Sequence, residues 1–178
     1  MQKSFQQPIL KILFWLGCII VPCMLVLSYI IFNIDDTYNY SGLMELHPSL
    51  FHIFAMIVLV DYVGSCYILS SESVVGHKDL LFISLVILLL LSIFFPYHSR
   101  ESLSASLHLI FSYSAFVIFN IILYFFVLNE RDKQIYTLIL VFCFMQSMAS
   151  MQITGFAQTV YFASLSILLA IKIKRIIS

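Results

Sequence analysis

Asp61 stands midway along an apolar stretch, Leu50 to Ser70, with Gly64 and Ser65 one turn further on. If that stretch crosses a bilayer, an ionisable group at such depth costs about 3 kcal/mol on insertion scales, so it must face the bundle or a wet cavity and be paired or protonated. Asn120, at similar depth in a second stretch, Leu107 to Leu128, is its expected partner. Two roles follow from the residue type. Asp61 is either a proton or cation relay or a protonated acid that hydrogen-bonds one helix to another.

A second set is the imidazoles His47, His52, His98 and His108, which the spacing of the apolar stretches places on one membrane face with Asp35, Asp36, Glu45 and Glu101. Nitrogen and carboxylate donors of this kind bind zinc or other divalent cations. Neither histidine pair has the four-residue step that puts two ligands on one helical face, so the alternative is that these rings anchor helix ends. Ser104, His108 and Ser112 do recur every fourth residue, which turns His108 toward a polar interior. Gln146 and Ser150 share a face of a fifth stretch, and Gln158 opens a sixth. The expected binding set is Asp61, His52, His108, Ser104, Ser112, Asn120, Gln146 and Gln158, whose outer members would line an outward-facing polar pocket. No G-x-S-x-G, H-E-x-x-H or paired-cysteine motif is present, so no catalytic residue is assigned and no cofactor is implied beyond that divalent metal.

The elements that must position these groups are six apolar segments, 12–32, 50–70, 80–95, 107–128, 135–150 and 155–173. The chain has 178 residues, 62% hydrophobic and 10% charged, with mean hydropathy +1.03. An ordinary soluble domain is about half apolar and about a quarter charged. Six crossings of about 20 residues nearly exhaust the length. The expectation is a single all-α domain, an integral membrane bundle of six transmembrane helices with short loops. Lys3, Lys11, Lys78, Arg131, Lys133, Lys172, Lys174 and Arg175 then share one side and Arg100 alone lies opposite. Basic flanks are retained in the cytoplasm, so both termini should be cytoplasmic, with the plasma membrane as the host bilayer. Pro22 should bend the first span. The turn Asn129 to Gln134 reads as a solvated connection, and Cys18, Cys23, Cys66 and Cys143 read as small buried hydrophobes. Thr159, Ala163, Ser166 and Ala170 form a small-residue stripe along the sixth span, which lets helix backbones approach closely in lipid. Asn39-Tyr40-Ser41 fits a glycosylation acceptor in the first outer loop.

Phe94-Phe95-Pro96 closing the third span, Ser104-x-x-x-His108 opening the fourth and Gly155-Phe156 opening the sixth are arranged in an order that resembles the damage-regulated autophagy modulator superfamily and its bacterial six-span relatives. The resemblance implies the six-span topology and no particular reaction.

Three functions compete. The first is a non-catalytic membrane protein that binds a lipid, a peptide or a membrane-protein partner through the outer pocket and two outer loops. The second is a transporter or ion-conducting subunit, assembled as a homo-oligomer, that uses Asp61. The third is a metal-dependent membrane enzyme built on His47, His52, His98 and His108. Nucleic acid is not an expected partner, because no basic cluster is interleaved with aromatics away from the helix flanks.

Overall fold

A computed structural model describes residues 2–31, 44, 47–70, 78–95, 102–150 and 154–178. The first helix, α1, comprises Gln2–Trp15, a π-helical turn at Leu16–Ile20 and Val21–Ile31. It is followed by α2 (Pro48–Leu69), α3 (Lys78–Phe94), α4 (Leu103–Ile122, ending in a second π turn at Leu123–Val127), α5 (Glu130–Ala149) and α6 (Gly155–Ile177). The architecture is all-α, with no strand among the described residues.

Local chemistry sets the helix starts. Ser102, Asn129 and Thr154 each accept a backbone N–H three residues on, from Ala105 at 3.0 Å, Asp132 at 2.9 Å and Ala157 at 3.1 Å. Such caps satisfy donors that have no partner inside the helix. Pro48 opens α2 at its first turn, where the missing N–H costs nothing. Pro22 acts differently, since its ring crowds the carbonyl of Cys18 and it donates no hydrogen bond. The ladder widens just before it, and Val21 N–H reaches back five residues to Leu16 O. Where bending was expected, the helix contains a π turn.

Helix α6 is the hub. It packs against α1, α2 and α5, while α3 pairs with α4. Its buried residues, among them Thr159, Tyr161, Leu165, Ser166, Leu169 and Ile173, point to several sides of the helix rather than one. In the largest cluster the Tyr62 ring is stacked between Phe119 and Phe162, at 5.8 and 5.9 Å between centroids, and its hydroxyl donates to Phe162 O at 2.6 Å. Large apolar side chains face outward on every helix, for instance Ile30, Ile53, Leu80, Phe125, Leu138 and Ile176. A soluble monomer rarely exposes contiguous apolar surface on this scale. Three helical stretches, Gln7–Ile31, Pro48–Leu69 and Leu103–Val127, are long and apolar enough to cross a membrane. The fold is that of an all-α membrane protein.

One end of the bundle gathers alternate helix termini. Leu10 and Leu13 of α1 meet Ile173 of α6, with Ile68 and Leu69 of α2 packed beside them. Lys78 Nζ, opening α3, donates to Ser70 O at 3.2 Å. Tyr124, late in α4, contacts Thr137 and lies under the Lys133 ammonium near the start of α5. Successive helices therefore run in alternating directions, and the basic residues from Lys11 to Arg175 collect at this end; Lys3 lies in the first turns of α1, and Arg100 is outside the described residues.

The 129–134 turn is exposed at Asn129, Glu130, Arg131 and Gln134, as its composition implied, and departs from that solvated character at Asp132. Asn129 caps a helix that already includes Glu130, and Asp132 is 2% exposed. Lys172 Nζ donates to Asp132 Oδ2 at 2.5 Å, with Arg175 Nη1 at 3.9 Å from Oδ1. Opposite charge at the start of α5 and the end of α6 also complements both helix dipoles. A charge run looks solvated in sequence because its partner lies forty residues away. The cysteines divide as well: Cys66 and Cys143 are buried, whereas Cys18 and Cys23 face outward from α1.

Removing one partner of a buried ion pair strands the other, at a cost of about 3 kcal/mol. Lys172→Met should therefore lower unfolding stability in detergent by about that amount, and Asp132→Asn combined with Lys172→Met should recover most of the loss. Equal stability of the single and double variants would show that the pair is not coupled.

Candidate functional site

Asp61 is 0% exposed at the meeting of α1, α2 and α6. Ser166 of α6 donates its hydroxyl to Asp61 Oδ2. The other carboxyl oxygen, Oδ1, has no hydrogen-bond partner among the described residues, and neither has Ser65 Oγ, one turn further along α2. Buried polar atoms are almost always paired, so two orphans on neighbouring turns of one helix call for an explanation.

Gly17, inside the π turn of α1, closes the third side. A Cβ built there would lie 2.9 Å from Ser166 O, 3.2 Å from Ala170 Cβ and 3.2 Å from Asp61 Oδ1. Only a glycine lets α1 come this close, and the small-residue stripe of α6 supplies the facing surface through Ser166 and Ala170. The stripe performs the packing role its composition implied. Thr159, at its N-terminal end, is buried and donates to Gly155 O at 2.7 Å within its own helix. Farther in, Gly64 faces Leu13, whose Cδ2 lies 3.3 Å from where a Cβ would stand.

No salt bridge among the described residues reaches Asp61. Asn120 is not its partner. The Asn120 amide donates to Phe116 O at 2.7 Å, and its Oδ1 accepts from Tyr136 OH at 2.6 Å. With the Tyr136 proton so used, Tyr161 OH donates to Tyr136 across 2.8 Å. Asn120 thus belongs to a polar chain through α4, α5 and α6, centred on Tyr136, which is 0% exposed. The azimuth around each helix, which chooses the partner, was not legible in the sequence.

The outer histidines turn to backbone carbonyls. His108, 4% exposed, donates Nδ1–H to Ser92 O at 2.7 Å, near the end of α3. His52 donates Nδ1–H to Pro48 O at 2.5 Å in the first turn of its own helix, and its ring lies 6.2 Å from that of Phe94. Both rings therefore flank the last turn of α3. His108 is turned inward, as its serine spacing implied. Ser104, Ser112, Gln146 and Gln158 are half-buried. A surface recess of about 400 Å3 is lined by His47, Pro48, Ser49, Leu50 and Ile53, so none of the eight residues of the expected binding set stands in its wall. Among the described residues no group of three His, Cys, Asp or Glu side chains is placed to hold a metal ion. His98, the acids Asp35, Asp36, Glu45 and Glu101, and the Asn39 acceptor lie outside the described residues.

No family model, curated protein or solved structure matches the chain. The resemblance to the damage-regulated autophagy modulator superfamily rests on Phe94-Phe95-Pro96, Ser104, His108 and Gly155-Phe156 alone.

The residues absent from the sequence-based set are Gly17 and Ser166 as neighbours of the acid, and Tyr136, Tyr161, Asp132 and Lys172 as buried polar groups. Gly17 carried one local signal, its position five residues before Pro22. Asp61 and Ser166 are 105 positions apart, and nothing in the sequence pairs them.

Asp61→Asn keeps an oxygen to accept from Ser166 and should fold with near-parental stability. Asp61→Leu removes the interhelical bond and strands the Ser166 hydroxyl, for a loss of about 1 kcal/mol on membrane scales. Unfolding midpoints in mixed micelles check both, and a Leu variant as stable as the Asn variant would remove the interhelical role.

Proposed function

We propose that this chain is a six-span membrane protein with both termini in the cytoplasm, and that it binds and moves a proton or small cation at Asp61, as a transporter or as an ion-conducting subunit. One observation carries the reading: a fully buried acid whose Oδ1 is unpartnered, beside an unpartnered serine hydroxyl, at a three-helix junction where α1 departs from α-helical geometry. The Ser166 bond to Oδ2 already joins the two helices, so Oδ1 is the oxygen left over for an ion. π turns also occur frequently at functional sites.

Support for six crossings comes from the outward apolar side chains on all six helices and from the alternation that brings the basic residues to one end. α3 and α5, with 17 and 20 residues, span about 26 and 30 Å at 1.5 Å per residue, close to a bilayer core of about 30 Å. The plasma membrane is the proposed location. The reading as a binder of lipid, peptide or a partner protein through an outer pocket has less support, since His52 and His108 donate to helix-end carbonyls and the nearby recess does not include them.

Purified protein in liposomes should dissipate an imposed proton or sodium gradient, and Asp61→Asn, with folding intact, should reduce that flux at least about tenfold, as expected when an intramembrane acid carries the ion. Equal flux in parent and variant would sink the assignment. For topology, a reporter active only outside the cytoplasm should be inactive after Ser178 and active when inserted near Asn39; activity after Ser178 would overturn the six-span arrangement.

A further inference from the structure

Asp61 Oδ1 and Ser65 Oγ are neighbours one turn apart on α2 that make no hydrogen bond to each other as they stand, so a proton bound on Oδ1 has a serine oxygen beside it to turn to. A protonated carboxyl has one O–H donor, and a serine oxygen has lone pairs to receive it. The other oxygen, Oδ2, already accepts from Ser166. A carboxylic acid in this junction therefore has an acceptor near its proton, whereas a carboxylate leaves a full charge with no salt-bridge partner among the described residues. Beside it stand Ser65 and the Cys66 thiol on α2, Ser166 on α6 and Gly17 on α1, and no Lys, Arg or second carboxylate among the described residues pairs with it. A metal cation demands several oxygen ligands around a central space, yet Gly17 is packed directly against Oδ1.

The same packing defines what must move. Asp61 has no exposed surface, so a proton can leave only if one wall opens. α2 carries the acid and α6 is the hub of the bundle, packed on three neighbours. α1 is the wall with a weakened ladder: Pro22 supplies no N–H, so one carbonyl of the π turn, at Gly17 or Cys18, lacks its helical donor. A helix bends most readily at such a point.

Resting on the proposed use of Asp61, we infer that the ion is a proton, held on Asp61 Oδ1 and shared with Ser65 Oγ, and that the Gly17 π turn of α1 is the seal that must lift for its exchange. On release the O–H bond of the acid breaks, the proton passes to water admitted beside Gly17, and the carboxylate is left accepting from the Ser65 and Ser166 hydroxyls. Rebinding reverses these steps.

Infrared spectroscopy of the full chain in liposomes tests this at neutral pH. A protonated-carboxyl C=O band should be present in the parent, absent in Asp61→Asn, shifted toward the free-acid position in Ser65→Ala, and unchanged by added sodium chloride. On transfer to deuterium oxide the band should shift as the proton exchanges. Gly17→Ala, whose methyl meets Ser166 O and pushes α1 away, should speed that exchange about tenfold, the effect of about 1.4 kcal/mol on a barrier. Should Gly17→Ala not fold, Ala170→Gly loosens the same contact without a clash and should also accelerate exchange. No band assignable to Asp61, or a band abolished by sodium, overturns the proton assignment while leaving sodium flux through Asp61 intact as a function. Exchange unchanged by both loosening variants overturns the seal. A sealed, exchanging proton without flux under any gradient would instead defeat the transport function and leave this site standing.

Discussion

The close approach of α1 to α6 at Gly17 is the contact on which the rest of the arrangement depends. In lipid there is no hydrophobic effect between helices, so association rests on how near two backbones can come and on which polar groups they bring together. Gly17 opposite Ser166 and Ala170 meets the first condition, and the Ser166 hydroxyl on Asp61 meets the second. If Gly17 carried a side chain, α1 would stand off from α6, and the carboxyl of Asp61 would lose the wall that keeps water from it. A single missing methyl thus links helix packing to the burial of an acid carried on a third helix.

Polar groups elsewhere in the bundle are handled differently. The Tyr136 hydroxyl relays a hydrogen bond from Tyr161 to Asn120, and at the basic end Asp132 is held by Lys172 with Arg175 nearby. Each network ties α5 to a neighbour, which matters because α5 otherwise presents Leu138, Phe144, Met145 and Met148 outward. These networks are satisfied and rigidifying. Asp61 and Ser65 alone supply buried side-chain atoms without partners among the described residues.

Pro22 shows how a local defect acquires a role. A proline inside a helix removes a hydrogen bond wherever it occurs. Here the defect is displaced by one turn into the segment that faces Asp61, so the least regular stretch of α1 lies against the one acid, among the described residues, that is buried without a counter-charge. The second π turn, Leu123–Val127, has no such neighbour. It packs toward α2 and contributes Leu123 and Val127 to the apolar core.

The sequence by itself determined the all-α class and the membrane character, because hydrophobicity along the chain is a one-dimensional property that the bilayer reads directly. It also singled out Asp61 and turned His108 inward, since composition and four-residue spacing are local. Only the tertiary structure decided partners. Whether Asp61 meets Asn120 or Ser166, and whether Asp132 is solvated or clasped by Lys172, depends on the rotation of each helix about its axis and on which helices are neighbours. A uniformly apolar surface leaves that rotation unspecified: outward Cys18 and inward Cys66 look alike in sequence. Helix azimuth is fixed by close contacts such as Gly17 on Ser166, formed between residues far apart in the chain, and no periodicity within one segment records them.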